Sequence, residues 1–250
     1  MDLSLKDKKV LVTGGSRGIG KAIAAKFVEE GAQVGIIARS QDELEQTGWE
    51  IGATIYPGDI SNQQERVRIF NTYLNDVKRI DVLVNNAGAS YGASVMDTDL
   101  KRFEEAMQLN FHAAVHFSKL AAEKMKDHQW GSIINISSIY GREAGGIPAY
   151  NASKAALISF TKAFSTEAIK HNIRVNGIAP GAIFHLNKAW KKRLEDKKSM
   201  EQYVKNRIPA GRFGTPEEIA NVAVFLASDK ASWIVGVNLN VDGGQSHLNF

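Results

Sequence analysis

A chain of 250 residues with 44% apolar side chains is long enough for one large α/β domain and can bury a sizeable core, which excludes a disordered chain. It contains no cysteine, which excludes disulfides, thiolate metal sites and cysteine nucleophiles. A net charge of +4 without a dense basic, aromatic-interleaved patch argues against a nucleic-acid partner. The polar start Met1–Lys9 and the lack of an apolar run near ~20 residues argue against a signal peptide or membrane helix, so a cytoplasmic protein is expected.

Short β-branched runs alternate with longer helical stretches. Val10–Thr13 reads as a buried strand, followed by a glycine turn and a helix over Ile19–Glu30 that turns Ile23 and Phe27 inward before Gly31 stops it. Further strands are expected at Gln33–Ala38, Thr54–Tyr56, Val82–Asn85, Ser132–Ser137, Arg174–Ala179 and Val237–Val241. Helices are expected near 42–51, 63–77, 103–126, 150–171 and 216–227. This rhythm predicts a single α/β domain over 1–250, a Rossmann fold whose doubly wound, parallel seven-stranded sheet carries helices on both faces. The stretch His185–Arg207 breaks the rhythm with eight Lys/Arg against three acids and reads as a helical excursion, a lid over a substrate at about 185–207.

The turn Thr13-Gly14-Gly15-Ser16-Arg17-Gly18-Ile19-Gly20 ends a buried strand and opens an amphipathic helix. Glycines there let backbone N–H groups approach a pyrophosphate, and the helix N-terminus adds its positive dipole end. Expected cofactor contacts are Gly14, Ser16, Arg17, Gly18, Ile19 and Gly20. The spacing is Gly-x-x-x-Gly-x-Gly rather than Gly-x-Gly-x-x-Gly.

Four other motifs follow in order: Asn85-Asn86-Ala87-Gly88, Tyr150-x-x-x-Lys154, Pro180-Gly181 and Val241-Asp242-Gly243-Gly244. With them the whole chain resembles the short-chain dehydrogenase/reductase family, most of all its bacterial 3-oxoacyl carrier-protein reductases. The resemblance implies a nicotinamide cofactor, with Asp59 and Ile60 at the adenine, Asn86, Ala87 and Gly88 at the ribose, and Pro180, Gly181 and Ile183 beside the nicotinamide. An acid at the end of the second strand would chelate the ribose hydroxyls of NAD. That position holds Ala38, followed by Arg39, and with Arg17 in the turn two guanidiniums suit a 2′-phosphate, so NADP(H) is expected over NAD(H).

Tyr150 and Lys154 share one helix face at i, i+4. An ammonium beside the phenol is expected to lower its pKa and fit it for acid–base work. The resemblance adds Ser138 to orient the substrate oxygen and Asn110, kinking the helix 103–126, to complete a proton relay. The family's usual separation from the tyrosine selects Ser137 instead, whereas the local Ser-x-x-Gly pattern ending at Gly141 selects Ser138; Ser137 stays the alternative. Catalytic candidates are thus Asn110, Ser138, Tyr150 and Lys154, and no metal is expected. Substrate candidates are Ser138, Tyr140, Tyr150, Phe184 and His185, the last standing where the family carries threonine. Tyr91, Arg142, Glu143 and Trp190 are pocket candidates by loop position alone.

The expected activity is hydride transfer between nicotinamide and a carbonyl or secondary alcohol (EC 1.1.1.-), with a 3-oxoacyl thioester as the specific candidate and an acyl carrier protein as candidate partner. The alternatives are a dehydrogenase of a polyol, sugar acid or other secondary alcohol, and a non-catalytic NADP-binding sensor or scaffold. Small residues Ala155, Ala156, Ser159 and Ala163 beside the stripe Leu157, Phe160, Phe164 suggest pairing through this helix, a homotetramer first and a homodimer next.

Overall fold

Buried β-branched runs build the sheet. In a computed structural model, which describes residues 2–184 and 196–248, the strands are β1 (Lys9–Thr13), β2 (Gln33–Ala38), β3 (Thr54–Pro57), β4 (Val82–Asn85), β5 (Gly131–Ile136), β6 (Ile173–Pro180) and β7 (Asn238–Val241). All pair in parallel in the order β3-β2-β1-β4-β5-β6-β7, with Val10 opposite both Val34 and Val82. His185 and the rest of the expected lid up to residue 195 lie outside the described residues.

Side chains two apart share a face. Val10, Val12, Ile36, Val84 and Ile134 pack on one side with Ile23 and Phe27 of α1 (Gly18–Glu29), joined there by Leu44 of α2 (Gln41–Ile51) and Ile219 of the helix Pro216–Ala227. Leu11, Ile37, Leu83, Ile133 and Val175 face the other way, onto Ile69, Phe70 and Tyr73 of α3 (Gln63–Val77) and onto Phe117 and Ala121. The central strands β1, β2, β4, β5 and β6 are buried on both faces, which favours continuous apolar runs over alternation, whereas the edge strands β3 and β7 are partly exposed.

The expected helix 103–126 differs in detail. It starts earlier and is broken: α4 (Leu100–Met107) passes through a π-helical turn, Gln108–His112, into α5 (Ala113–Met125). Asn110 sits inside that wide turn, where the helix must admit an extra residue to seat its buried amide. The next helix, α6, spans Pro148–Ala168, with proline pre-set for the first turn, and tightens into a 3-10 turn over Ile169–His171. Its buried stripe is also not the expected one. Leu157 is buried together with Ser153, Lys154 and Thr161, whereas Phe160 and Phe164 are half-buried and stack on each other 5.3 Å apart. α7 is Lys197–Arg207 and α8 is Pro216–Ala227. No helix among the described residues is long and apolar enough to cross a membrane.

Arg174 of β6 ties the sheet to α8. Its guanidinium donates to the carbonyls of Leu226 (2.6 Å) and Ala227 (3.0 Å) at the end of that helix, and of Ser228 (3.0 Å) and Ala231 (3.2 Å) just beyond it. The last helix carbonyls lack partners within the helix, and the dipole's negative end favours a cation. Replacing Arg174 by Met should therefore cost on the order of 3 kcal/mol of unfolding free energy. Urea titration should show a lower midpoint at unchanged slope; an unmoved midpoint would refute this role for Arg174.

Candidate active site

The chain crosses β1 to β2 and β3 on one side, then returns to place β4 on the other side of β1. Loops leaving the carboxyl ends of β1 and β4 therefore diverge and open a crevice. Thr13, the last residue of β1, closes its floor. Its Oγ1 accepts from the N–H groups of Asn86 (3.0 Å) and Ala87 (3.1 Å), while Asn86 Nδ2 donates back to the carbonyls of Thr13 and Gly14, each at 3.0 Å. Gly14 turns with φ of 67°. At Gly20 a Cβ would lie 2.2 Å from the Gly14 carbonyl oxygen, so only glycine lets α1 close onto the turn.

The start of α1 carries no side-chain cap and no acid in its first turn. By contrast α8 begins with a reciprocal Thr215–Glu218 capping box and α3 with the Asn62 side chain. The first-turn N–H donors of α1 open into the crevice instead. This donor set, with the positive dipole end, fits a pyrophosphate.

The crevice deepens into a cleft of about 1700 Å³. All the residues expected to contact a cofactor line it: the glycine turn, Arg39, Asp59, Ile60, Asn86 to Gly88, Tyr150, Lys154, Pro180, Gly181 and Ile183. At one end Arg39 is exposed and Arg17 reaches Glu43 at 3.3 Å. The Asp59 carboxylate accepts from Ser61 N–H (2.9 Å) and Oγ (2.8 Å), which fixes its direction.

At the other end are Ser138, Tyr140, Tyr150 and Lys154. Lys154 is 3% exposed; its Nζ donates to the Ile136 carbonyl at 2.7 Å and sits 5.6 Å from the centre of the Tyr150 ring. Burial pulls the Lys154 ammonium down to about 8. Burial also pushes the Tyr150 phenol up, offset in part by its hydrogen bond with Ser138. This differs from the expected downward pull of Lys154, because desolvation is the larger effect and the amine is turned to Ile136.

Both serines line the cleft, but their hydroxyls have different partners. Ser137 Oγ has two acceptors on the sheet side for its one proton, the Ile178 carbonyl (2.9 Å) and Asn238 Oδ1 (2.7 Å). Ser138, two residues past β5, has its hydroxyl at Tyr150 and accepts from Tyr140 N–H (3.2 Å). Asn110 lies behind the cleft rather than on its wall, 1% exposed. Its amide accepts from Ala89 N–H and donates to Ala89 O and to Ser153 Oγ, each at 2.9 Å, locking the loop after β4 to α6. Gly88 separates it from Lys154: a Cβ there would stand 3.1 Å from the Asn110 oxygen and 3.4 Å from the Lys154 amine.

Some loop candidates serve the frame. Arg142 bonds Asn240 Oδ1 at 2.8 Å, Glu143 accepts from His247 N–H at 3.2 Å, and Tyr91 packs on the core beneath the sheet. Phe184 is not among the described residues that line the cleft; its N–H bonds Gly214 O at 2.8 Å. Sequence reasoning missed Thr13, Ser153, Tyr203 and Gln245. Thr13 was findable as the hydroxyl that ends a buried strand; the other three come from distant segments with no shared spacing.

A family model described as Enoyl-(Acyl carrier protein) reductase matches residues 14–246. The 3-oxoacyl-(acyl-carrier-protein) reductase FabG of Aquifex aeolicus is 36% identical over 98% of this chain and 99% of its own length. Sorbitol-6-phosphate 2-dehydrogenase of Klebsiella pneumoniae is 34% identical over 98% of each chain. The crystal structure of L-sorbose reductase from Gluconobacter frateurii, complexed with NADPH and L-sorbose, superposes with a TM-score of 0.93 at 32% identity over 99% of this chain and 100% of that one. Matches of this length to oxidoreductases, over a cleft that gathers the motifs of every segment, make the chain a member of the short-chain dehydrogenase/reductase family and an enzyme acting on CH–OH or carbonyl groups.

Proposed function

We propose that the protein is an NADP(H)-dependent reductase of a small carbonyl compound, with a 3-oxoacyl thioester as the leading substrate and an acyl carrier protein as its carrier. The observation that carries the reading is one cleft with an open helix N-terminus at its middle, Arg17 and Arg39 at one end and Ser138, Tyr150 and Lys154 at the other. The bound nicotinamide supplies the hydride. The α1 N–H groups hold the pyrophosphate, and the two guanidiniums hold the 2′-phosphate. Lys154 binds the ribose, and Ser138 orients the substrate oxygen against Tyr150. The Tyr150 phenol donates its proton to that oxygen in reduction and takes it back in oxidation. Asn110 positions these groups through Ser153 and the Ala89 loop.

The name of the Aquifex aeolicus relative supports the thioester reading. The sugar-linked names of the Klebsiella pneumoniae and Gluconobacter frateurii proteins support the second reading, oxidation or reduction of a polyol or ketose. A complete Tyr150–Lys154–Ser138 set disfavours a non-catalytic sensor. The half-exposed Phe160–Phe164 stack beside the exposed Ala155, Ser159 and Ala163 supports a homotetramer paired through α6.

Turnover of a carbonyl panel, followed by nicotinamide absorbance in both directions, tests the reading. Tyr150→Phe should abolish reduction while NADPH affinity is nearly retained. Ser138→Ala should lower kcat by about a hundredfold or more without moving Tm, whereas Ser137→Ala should cost about 1–2 kcal/mol of stability and spare most of kcat. The reverse pattern would hand the role to Ser137.

Lys154 carries its proton below about 8 and loses it as pH rises through that value. Carbonyl reduction at saturating NADPH should therefore decline above about pH 8, while the raised Tyr150 phenol stays protonated. A rate that holds or climbs through that range refutes the charged-lysine requirement. Ala38→Asp combined with Arg39→Ile should shift the kcat/KM ratio from NADPH toward NADH by about tenfold or more; an unchanged ratio would remove Arg39 as its determinant.

A further inference from the structure

The reacting groups occupy only part of the substrate half of the cleft. Three further polar side chains line it from three separate segments: Tyr140 from the loop after β5, Tyr203 from α7 and Gln245 from the tail after β7. Gln245 is 7% exposed, and its neighbours dictate which way its amide faces. The Ala182 N–H can only donate, so it takes Oε1, at 2.8 Å. Nε2 is thereby turned onto Tyr203 Oη, 2.9 Å away. Tyr203 must accept from Gln245 and keeps its own phenolic proton. Its ring stacks on Phe213 with centroids 6.0 Å apart and planes 8° apart, which holds the hydroxyl in place. Tyr140 lines the same part of the cleft. The phenolic proton of Tyr203 has no acceptor within hydrogen-bond distance among the described residues.

A phenolic proton facing a cleft is satisfied by water or by a ligand oxygen. A hydrocarbon chain laid there would strand it, so such a site discriminates against the ligand that lacks the oxygen. We propose that Gln245 sets the Tyr203 hydroxyl so that its proton is donated to a substrate oxygen away from the reacting carbon. The substrate class is then a carbonyl compound or alcohol with a second oxygen, a hydroxyketone or 3-oxo ester rather than a hydrocarbon ketone. The inference rests on the reductase reading and narrows it. Gln245 is a positioning residue here; the Tyr203 phenol touches the substrate.

Binding can be read without turnover on Tyr150→Phe protein loaded with NADPH, by calorimetry with ethyl acetoacetate, 4-hydroxy-2-butanone and 2-pentanone. The two probes with a second oxygen should bind about tenfold or more tightly than 2-pentanone. Tyr203→Phe keeps the ring stack and should bring that ratio close to one. Gln245→Glu is the sharper variant: the introduced carboxylate still accepts from Ala182 N–H but also accepts from the Tyr203 hydroxyl, spending the proton, so the preference should collapse although the bridge persists. Absence of a preference before these changes, or a ratio that survives either of them, overturns the proposal. A uniform loss of affinity for all three probes leaves the ratio intact and overturns it too. If protein retaining Tyr150 binds NADPH but reduces none of the three, the reductase reading falls instead, while the binding ratio still decides the role of Tyr203.

Discussion

The junction between the ends of β1 and β4 is the constraint on which the cleft depends. Thr13 and Asn86 exchange four hydrogen bonds there with the two chains that leave the sheet. These bonds hold the glycine turn against the start of the Asn86–Gly88 loop at the point where the strand order reverses. The uncapped start of α1 points into the resulting gap, and the axis of the cleft follows from it.

The chemical end is built by burial as much as by contact. Lys154 and Asn110 are removed from solvent by the packing of α6 on the π turn and on the end of β5. A buried amine is easier to deprotonate and a buried phenol harder, and the two residues move in those opposite directions. The site therefore keeps its tyrosine protonated and brings its lysine within reach of physiological pH. The π turn at Gln108–His112 is the local distortion that accompanies this arrangement, seating an asparagine amide that a regular helix would misplace.

The substrate side is assembled from the least regular parts of the chain. Gln245 of the tail after β7 bonds both Tyr203 of α7 and Ala182 of the loop after β6. Such contacts span 63 and 42 residues of sequence and leave no periodic trace.

Strand positions, the parallel sheet and the glycine turn were legible in the sequence because each rests on local physics. Continuous apolar runs need two covered faces, and glycines are needed where a helix closes on a turn. The motifs in order named Tyr150, Lys154 and proposed cofactor contacts that the fold gathers in one cleft, and the local Ser-x-x-Gly pattern pointed to the serine whose hydroxyl lies at Tyr150. Only the tertiary structure decided the rest. It gave the Ser137 hydroxyl its acceptors on the sheet side, broke the helix around Asn110, made burial rather than a neighbouring charge the larger influence on Tyr150, and brought Tyr203 and Gln245 to the same wall as Tyr140. Those outcomes depend on desolvation and on contacts between distant segments, which arise only when the chain has closed on itself.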